Sequence, residues 1–177
     1  MNIKPETLSS ESIYKGKIFD VRRDRIREGD SEYHRDVVVH PGSAVIVPVF
    51  ADNTVALVRQ YRHAADKYLL EIPAGGLEPG EAPETGAARE LEEEIGYRAA
   101  RIEKLAEFYV SPGFLTEKMH LYLATELTET QQNLDEDEHV EIERIPLEVA
   151  LQMARTGQIE DAKTIIGITM ACQNREP

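Results

Sequence analysis

A loop rich in glycine and proline followed by a glutamate-rich stretch, residues 75–97, constrains this chain more than any other part of its sequence. Gly and Pro fill the first third of the segment and predict a loop. Helix formers follow Pro83 and end at Gly96, a favourable residue just past a helix C-terminus. The segment therefore predicts a loop, a helix over residues 85–95 and a stop.

The predicted helix concentrates negative charge on one side. Seven Glu and one Arg give a net charge of −6 over these 23 residues. At 100° per residue, one face of the predicted helix carries the carboxylates of Glu90, Glu93 and Glu94. The opposite face is predicted to pack in the core and contains Ala88, Leu91 and Ile95. Like charges four residues apart destabilise an exposed helix by about 0.2–0.5 kcal/mol. We therefore expect a cation there; a solvated acidic face without a ligand is the alternative.

Oxygen ligands without imidazole or thiolate favour Mg²⁺ or Mn²⁺. Magnesium held by a few carboxylates typically also binds substrate phosphates. The segment thus favours phosphate chemistry assisted by a divalent metal.

The residue order from Gly75 to Tyr97 is G-x5-E-x7-R-E-U-x-E-E-x-G-U, where U is a bulky apolar residue. This pattern is the signature of the Nudix hydrolase family, which the chain resembles. Tyr97 stands where an aliphatic residue is usual, and every other position matches. The resemblance implies an α+β protein, a Nudix-type α/β/α sandwich with a mixed β-sheet, that hydrolyses a nucleoside diphosphate linked to another moiety.

The same resemblance assigns roles to residues of the segment. Mg²⁺ is the implied cofactor, with Mn²⁺ as a substitute. Its implied ligands are Glu90, Glu93, Glu94 and the backbone carbonyl of Ala74. Arg89 would orient the glutamates, and both Arg89 and Glu93 count among the catalytic residues. Gly75 and Gly76 would let the backbone approach metal and substrate, an ordinary turn being the alternative.

Further motifs resemble the ADP-ribose pyrophosphatase subgroup. Pro112 follows Gly96 by 16 positions within Ser-Pro-Gly, and segments 40–44, 58–62 and 70–75 resemble the subgroup in order and spacing. The implied reaction converts ADP-ribose to AMP and ribose 5-phosphate. Two alternatives remain open. The substrate could be another nucleoside diphosphate sugar such as GDP-mannose, or the chain could be a non-catalytic ADP-ribose sensor.

Substrate contacts are also implied by similarity to this subgroup. Its members are homodimers in which the N-terminal segment of one subunit helps to bind the adenine or ribose of the substrate held by the other. Phe19 would stack on adenine, while Arg35 and Arg62 would contact the diphosphate or the terminal ribose. Glu71 and Pro112 complete the implied substrate-binding set, together with Gly76. A core role for Phe19, surface ion pairs for the arginines and an outward-pointing Glu71 are the alternatives.

An acidic segment, residues 133–141, precedes a predicted strand where similar enzymes carry the general base. Glu138 is the first choice for this base and Glu136 the second. A carboxylate there would accept a proton from the attacking water. A solvated acidic loop is the alternative.

The rest of the chain predicts short strands interspersed with helices. Val-rich runs bounded by turn residues predict strands near residues 37–39, 44–50 and 55–58, with others at 68–72, 102–110, 119–124 and 140–145. Two further helices are expected over 147–155 and 161–173, the second with Ile165, Ile168 and Cys172 on its buried stripe. We expect an N-terminal β segment over 1–40, which forms a dimer, and a hydrolase domain over 41–177.

Charge and cysteine content limit the partners. Twenty Lys and Arg against 33 Asp and Glu give a formal charge of −13, which disfavours nucleic acid and anionic membranes. The single cysteine, Cys172, cannot form an internal disulfide, so a cytoplasmic location is expected. The family resemblance implies a small-molecule nucleoside diphosphate sugar as the partner, besides a second copy of the chain.

Overall fold

A computed structural model describes residues 4–134 and 139–174. Its strands are β1 (Glu6–Lys15), β2 (Asp20–Glu28), β3 (Ser31–Val39), β4 (Ser43–Pro48), β5 (Thr54–Arg62), β6 (Lys67–Glu71), β7 (Ala74–Gly76), β8 (Tyr97–Tyr109), β9 (Lys118–Glu129) and β10 (Val140–Pro146). Its helices are α1 (Pro83–Ile95), α2 (Leu147–Arg155) and α3 (Ala162–Gln173), and a 3-10 turn covers His63–Ala65. The chain divides into two compact units: residues 1–42 with 108–119, and residues 43–107 with 120–177.

The first unit is built on an antiparallel sheet in the order β1-β2-β3. A tight turn joins β2 to β3, with Glu28 opposite Ser31 and Gly29 at a φ of 59°. Cross-strand ion pairs neutralise the basic run of β2; Arg23, for example, donates to both carboxylate oxygens of Asp36 at 2.7 and 3.0 Å. The unit therefore relies on polar cross-strand pairs and has few buried apolar side chains.

The second unit contains two sheets, ordered β10-β5-β6 and β7-β4-β9-β8. Alternate residues of β4 and β9 point to opposite faces, as the strand period requires. One face packs against α1 in a cluster formed by Ala44, Ile46, Phe50, Ala56, Val58, Ala87, Leu91, Ile95, Tyr122 and Ala124. This face anchors the helix that carries the glutamates.

Helix α3 packs on the opposite face of β4. A Cβ added to Gly167 would lie 2.5 Å from Ile72, 3.0 Å from Val47 and 3.3 Å from Leu121. The absence of a side chain at Gly167 thus lets the helix approach the sheet closely. With α1 on one face and α3 on the other, the second unit is a three-layer sandwich, and the predicted α+β class is confirmed.

Several local predictions need correction. The buried stripe of α3 contains Thr164, Gly167, Ile168 and Ala171, whereas Ile165 and Cys172 are only half-buried. The small residue Gly167 lies on the face of the helix that approaches the sheet. Strands β1 and β7 have no hydrophobic alternation and were not predicted individually. Among the described residues, no helix is long and apolar enough to cross a membrane.

Candidate functional site

The predicted loop, helix and stop are present. Helix α1 begins with Pro83 in its first turn and ends at Gly96, whose φ of 70° is left-handed. The Gly96 N–H donates to the carbonyls of Glu92 and Leu91. Both termini therefore follow from local sequence chemistry, namely an N-terminal proline and a left-handed terminal glycine.

The carboxylates of α1 do not form a face separate from the core. Glu90 and Glu94 are 7 % and 3 % exposed, and they flank the fully buried Leu91. Glu94 accepts a hydrogen bond from the Ala74 N–H at 3.3 Å, and Glu90 packs against the backbone of Gly75. The prediction of opposite faces is therefore wrong, because the neighbouring loop and Arg89 supply polar partners inside the fold.

Arg89 places a positive charge beside the glutamates. Its Nη1 donates to Glu90 at 2.7 Å and to Glu93 at 2.8 Å. Its Nε and Nη2 donate to the two oxygens of Glu81 at 2.9 and 3.0 Å, and Nη2 also reaches the Gly76 carbonyl at 3.1 Å. One guanidinium thus connects the loop to the acidic helix.

These ion pairs shift the ionisation of both partners. The pKa of Arg89 is raised, chiefly by its hydrogen bond to Glu81, against a smaller opposing effect of burial. The pKa of the Glu81 carboxyl is lowered by its hydrogen bond to Arg89. Both groups therefore stay charged at neutral pH, which keeps the loop and helix connected.

A cavity of about 250 Å³ lies over this arrangement. It is lined by Gly75, Gly76, Glu78, Arg89, Glu90, Glu93 and Asn133. Its carboxylates are hard oxygen donors, which fit Mg²⁺ or Mn²⁺ in chemical type. Within residues 4–134 and 139–174, however, no three His, Cys, Asp or Glu side chains are grouped as a metal-binding cluster.

Two residues beside the cavity were missed by the sequence reasoning. The Gln132 side chain donates to the Glu94 carbonyl at 2.6 Å, and the Asn133 N–H donates to the Glu93 carbonyl at 3.0 Å. These bonds satisfy carbonyls at the end of α1, which have no partner within the helix. No local pattern indicates them, because their partners lie about 40 residues earlier in the chain.

Arg62 and Glu71 meet as a bidentate ion pair. Nε and Nη2 of Arg62 each donate to a carboxylate oxygen of Glu71 at 2.8 Å. The Glu71 side chain is 2 % exposed and also accepts from Lys163, a residue that the sequence analysis did not single out. Burial raises the pKa of Glu71, but Arg62 and Lys163 outweigh this effect and hold it below its usual value. Glu71 therefore points inward, not outward, and supports Arg62.

Three of the predicted substrate residues belong to the first unit. Phe19 is 42 % exposed, with its ring centroid 6.0 Å from that of Tyr14. The Arg35 guanidinium lies 4.4 Å from the centre of the Tyr33 ring. Pro112 is exposed in a turn that begins at Ser111. The predicted general base Glu138 and its alternative Glu136 lie outside the described residues.

A comparison with known protein families matches residues 40–166 to the NUDIX domain. The chain belongs to the Nudix family. This confirms the family predicted from the pattern between Gly75 and Tyr97. The loop, helix α1 and Arg89 described above all lie within the matched residues.

Curated relatives of this Nudix chain are similar over nearly its full length. It is 39 % identical to an ADP-ribose pyrophosphatase of Bacillus subtilis (strain 168), with 94 % of this chain and 92 % of the relative covered. It is also 39 % identical to a methanol dehydrogenase activator of Bacillus methanolicus, with 92 % and 90 % covered. A GDP-mannose pyrophosphatase of Citrobacter koseri is 34 % identical, with 93 % and 90 % covered.

A solved structure described as an ADP compounds hydrolase has the same fold. The TM-score is 0.87, and the match covers 98 % of this chain and 95 % of the other at 23 % identity. The likeness establishes the fold, so the Nudix-type sandwich expected from the sequence is confirmed.

Proposed function

We propose that this chain is a hydrolase that adds water across the diphosphate of ADP-ribose to give AMP and ribose 5-phosphate. The observation that carries the proposal is the connection of Glu81, Glu90 and Glu93 through Arg89 beside a polar cavity. Relatives named ADP-ribose pyrophosphatase support the choice of substrate.

The proposed cofactor is Mg²⁺, with Mn²⁺ as a substitute, held by Glu90, Glu93, Glu94 and the Ala74 carbonyl. Nudix hydrolases generally need a divalent metal. When bound, such a metal neutralises diphosphate charge and lowers the pKa of a bound water. Arg89 orients the carboxylates of Glu90 and Glu93 through its hydrogen bonds to them.

Arg62 is the proposed contact for the diphosphate or terminal ribose. Its guanidinium side chain is 41 % exposed, and its hydrogen bonds to described residues use Nε and Nη2. The bidentate pair with Glu71 fixes the orientation of the guanidinium and leaves Nη1 available for a substrate oxygen. In this proposal Glu71 acts through Arg62, and Phe19, Arg35, Gly76 and Pro112 complete the substrate contacts.

Glu138 is the proposed general base, and Glu136 is second. The role is implied by similar enzymes, which carry the general base in the segment before this strand, and this segment is acidic here. Glu138→Gln is expected to lower turnover by several orders of magnitude, with little effect on the midpoint of thermal unfolding. Near-normal turnover would transfer the role to Glu136 or to the glutamates of α1.

The test is hydrolysis of a substrate panel in Mg²⁺: ADP-ribose, other ADP-sugars, GDP-mannose, NADH and diadenosine polyphosphates, with products separated by chromatography. Glu94→Gln should abolish turnover. Glu92→Gln is the matched control, because Glu92 lies on the same helix but pairs with the exposed Arg98 at 2.7 Å. Preference for ADP-ribose, lost in Glu94→Gln and retained in Glu92→Gln, supports the proposal.

Hydrolysis of GDP-mannose is the second candidate function, favoured by the 34 % identical relative of that name. A preference for GDP-mannose in the panel would establish it and leave the metal assignment intact. Binding of ADP-ribose without cleavage of any substrate would instead indicate a sensor.

We also propose that residues 1–40 form a homodimer interface. The first unit exposes four large apolar side chains close together in sequence: Ile13, Tyr14, Ile18 and Phe19. Exposed large apolar side chains concentrated in one segment are typical of an interaction surface. Light scattering after gel filtration should give twice the chain mass, and Ile13→Asp with Ile18→Asp should give the monomer mass. A cytoplasmic location stays a prediction from the sequence.

A further inference from the structure

Thr164, near the start of α3, is a fully buried polar residue with a specific hydrogen-bond network. Its hydroxyl oxygen accepts from the Ile72 N–H at 2.9 Å. The same hydroxyl donates to the Asp161 carboxylate, which also accepts from the Thr164 N–H at 3.0 Å. Asp161 is the N-cap of the helix. It therefore orients the Thr164 hydroxyl toward the end of β6.

The backbone segment that Thr164 contacts continues to Ala74, a proposed metal ligand. After Ile72, the Pro73 carbonyl accepts from the Ile46 N–H at 3.0 Å. The Ala74 N–H then donates to the Glu94 carboxylate at 3.3 Å. Successive backbone groups are thus held by α3, β4 and α1, and the peptide between Pro73 and Ala74 is held at both ends.

Because residue 73 is proline, the hydrogen bond between Thr164 and the Ile72 N–H has a larger part in fixing the backbone before Ala74. Pro73 has no N–H, so it cannot contribute a donor to hold this part of the backbone. The Ile72 N–H is the last backbone donor before Ala74. Thr164 reaches it from α3, which packs on the opposite face of β4 from α1.

We propose that Thr164, aligned by Asp161, is a positioning residue for the Ala74 carbonyl and thereby sets the affinity of the site for its divalent metal. The proposal rests on the metal ligands assigned under the proposed function. Groups that orient metal ligands typically change metal affinity or activity 10- to 100-fold when they are removed. A purely structural hydroxyl would change stability and leave metal affinity as it is.

The test compares Thr164→Val, which keeps the side-chain shape and removes the hydroxyl, with Thr164→Ser, which keeps the hydroxyl. Thr169→Val is the matched control, because the Thr169 hydroxyl lies on the same helix and donates only to the Ile165 carbonyl, at 2.7 Å, among the described residues. Mn²⁺ is titrated into each protein without substrate and followed by electron paramagnetic resonance. The Mg²⁺ dependence of ADP-ribose hydrolysis is measured in parallel.

We expect Thr164→Val to weaken Mn²⁺ binding and raise the Mg²⁺ requirement by about 10-fold or more. Its KM for ADP-ribose at saturating Mg²⁺ should stay within about twofold of the original protein, because the change acts on the metal. Thr164→Ser and Thr169→Val should bind Mn²⁺ as the original protein does. If Thr164→Val does not fold, Thr164→Ala and Thr164→Ser form a pair that differs by one oxygen atom.

Unchanged Mn²⁺ affinity in folded Thr164→Val would overturn the inference, as would an equal loss in Thr169→Val. The Mn²⁺ titration contains no substrate, so it separates this inference from the choice of ADP-ribose. If the original protein binds Mn²⁺ but does not cleave ADP-ribose, the proposed function fails while the comparison of variants still decides the role of Thr164.

Discussion

The Glu90 carboxylate occupies the space that a side chain at Gly75 would need. A Cβ on Gly75 would lie 1.9 Å from Oε1 of Glu90, far inside any allowed contact. At the next position, a Cβ on Gly76 would meet no atom within 4 Å. Any side chain at position 75 would therefore displace the Glu90 carboxylate, whereas position 76 has room for a Cβ.

Gly75→Ala should displace the Glu90 side chain and lower turnover by about 100-fold, since small misplacements of catalytic groups have effects of this size. Because the clash involves the end of a flexible side chain, the unfolding midpoint should change little. Gly75→Ala should also bind Mn²⁺ more weakly, whereas Gly76→Ala should retain the Mn²⁺ affinity of the original protein. Equal Mn²⁺ affinity in both variants would contradict the steric argument.

Arg89→Lys keeps the positive charge but cannot form the four-partner guanidinium network. We expect turnover to fall at least 10-fold and the free energy of unfolding to fall by about 1–3 kcal/mol, as for other buried groups left without partners. Arg98→Lys, which alters an exposed pair, is the control. Urea denaturation and steady-state kinetics check the two effects, and wild-type values for Arg89→Lys would contradict the role assigned to the network.

Glu71 makes stability depend on acid pH. Its pKa is lower in the folded protein than in the unfolded chain, so it contributes stability above the unfolded value of about 4.5, and this contribution is lost as pH falls through the folded value. Glu71→Gln should lower stability at pH 7 by about 3 kcal/mol, because Lys163 and Arg62 lose their buried partner.

Thermal unfolding at pH 7 and at pH 3 measures the effect of Glu71. The loss at pH 7 corresponds to roughly 6–12 °C in the unfolding midpoint for a chain of this size. The difference between Glu71→Gln and the original protein should shrink at pH 3. A difference that is constant with pH would show that ionised Glu71 does not contribute.

Gly96 and Gly157 both have left-handed backbones, with φ of 70° and 76°, but only Gly96 is also crowded. A Cβ at Gly96 would lie 3.0 Å from the Gln132 nitrogen, whereas at Gly157 nothing lies within 4 Å. The left-handed backbone alone should cost Gly157→Ala about 1–2 kcal/mol. Gly96→Ala should cost more, and chemical denaturation of both variants checks the order.

Local chemistry accounts for the elements that the sequence predicted well. Helix α2 spans the predicted residues, and α1 has its expected stop at Gly96, because capping and the 3.6-residue period act over a few neighbours. The Nudix pattern likewise lies within one continuous segment, so it could be recognised without knowledge of the fold. Strand β7 and the buried stripe of α3 depend on distant partners and were not predicted correctly.

The sequence by itself determined the α+β class, the acidic helix and the Nudix residues, because each is expressed in short-range spacing. Only the tertiary structure decided that Glu90 and Glu94 are buried, that Arg62 and Lys163 meet at Glu71, and that the Ile72 N–H donates to Thr164. The partners in these contacts are 9 to 92 residues apart. A buried charge or hydroxyl is stable only when the fold brings its partner to it, and that information is absent from any local pattern.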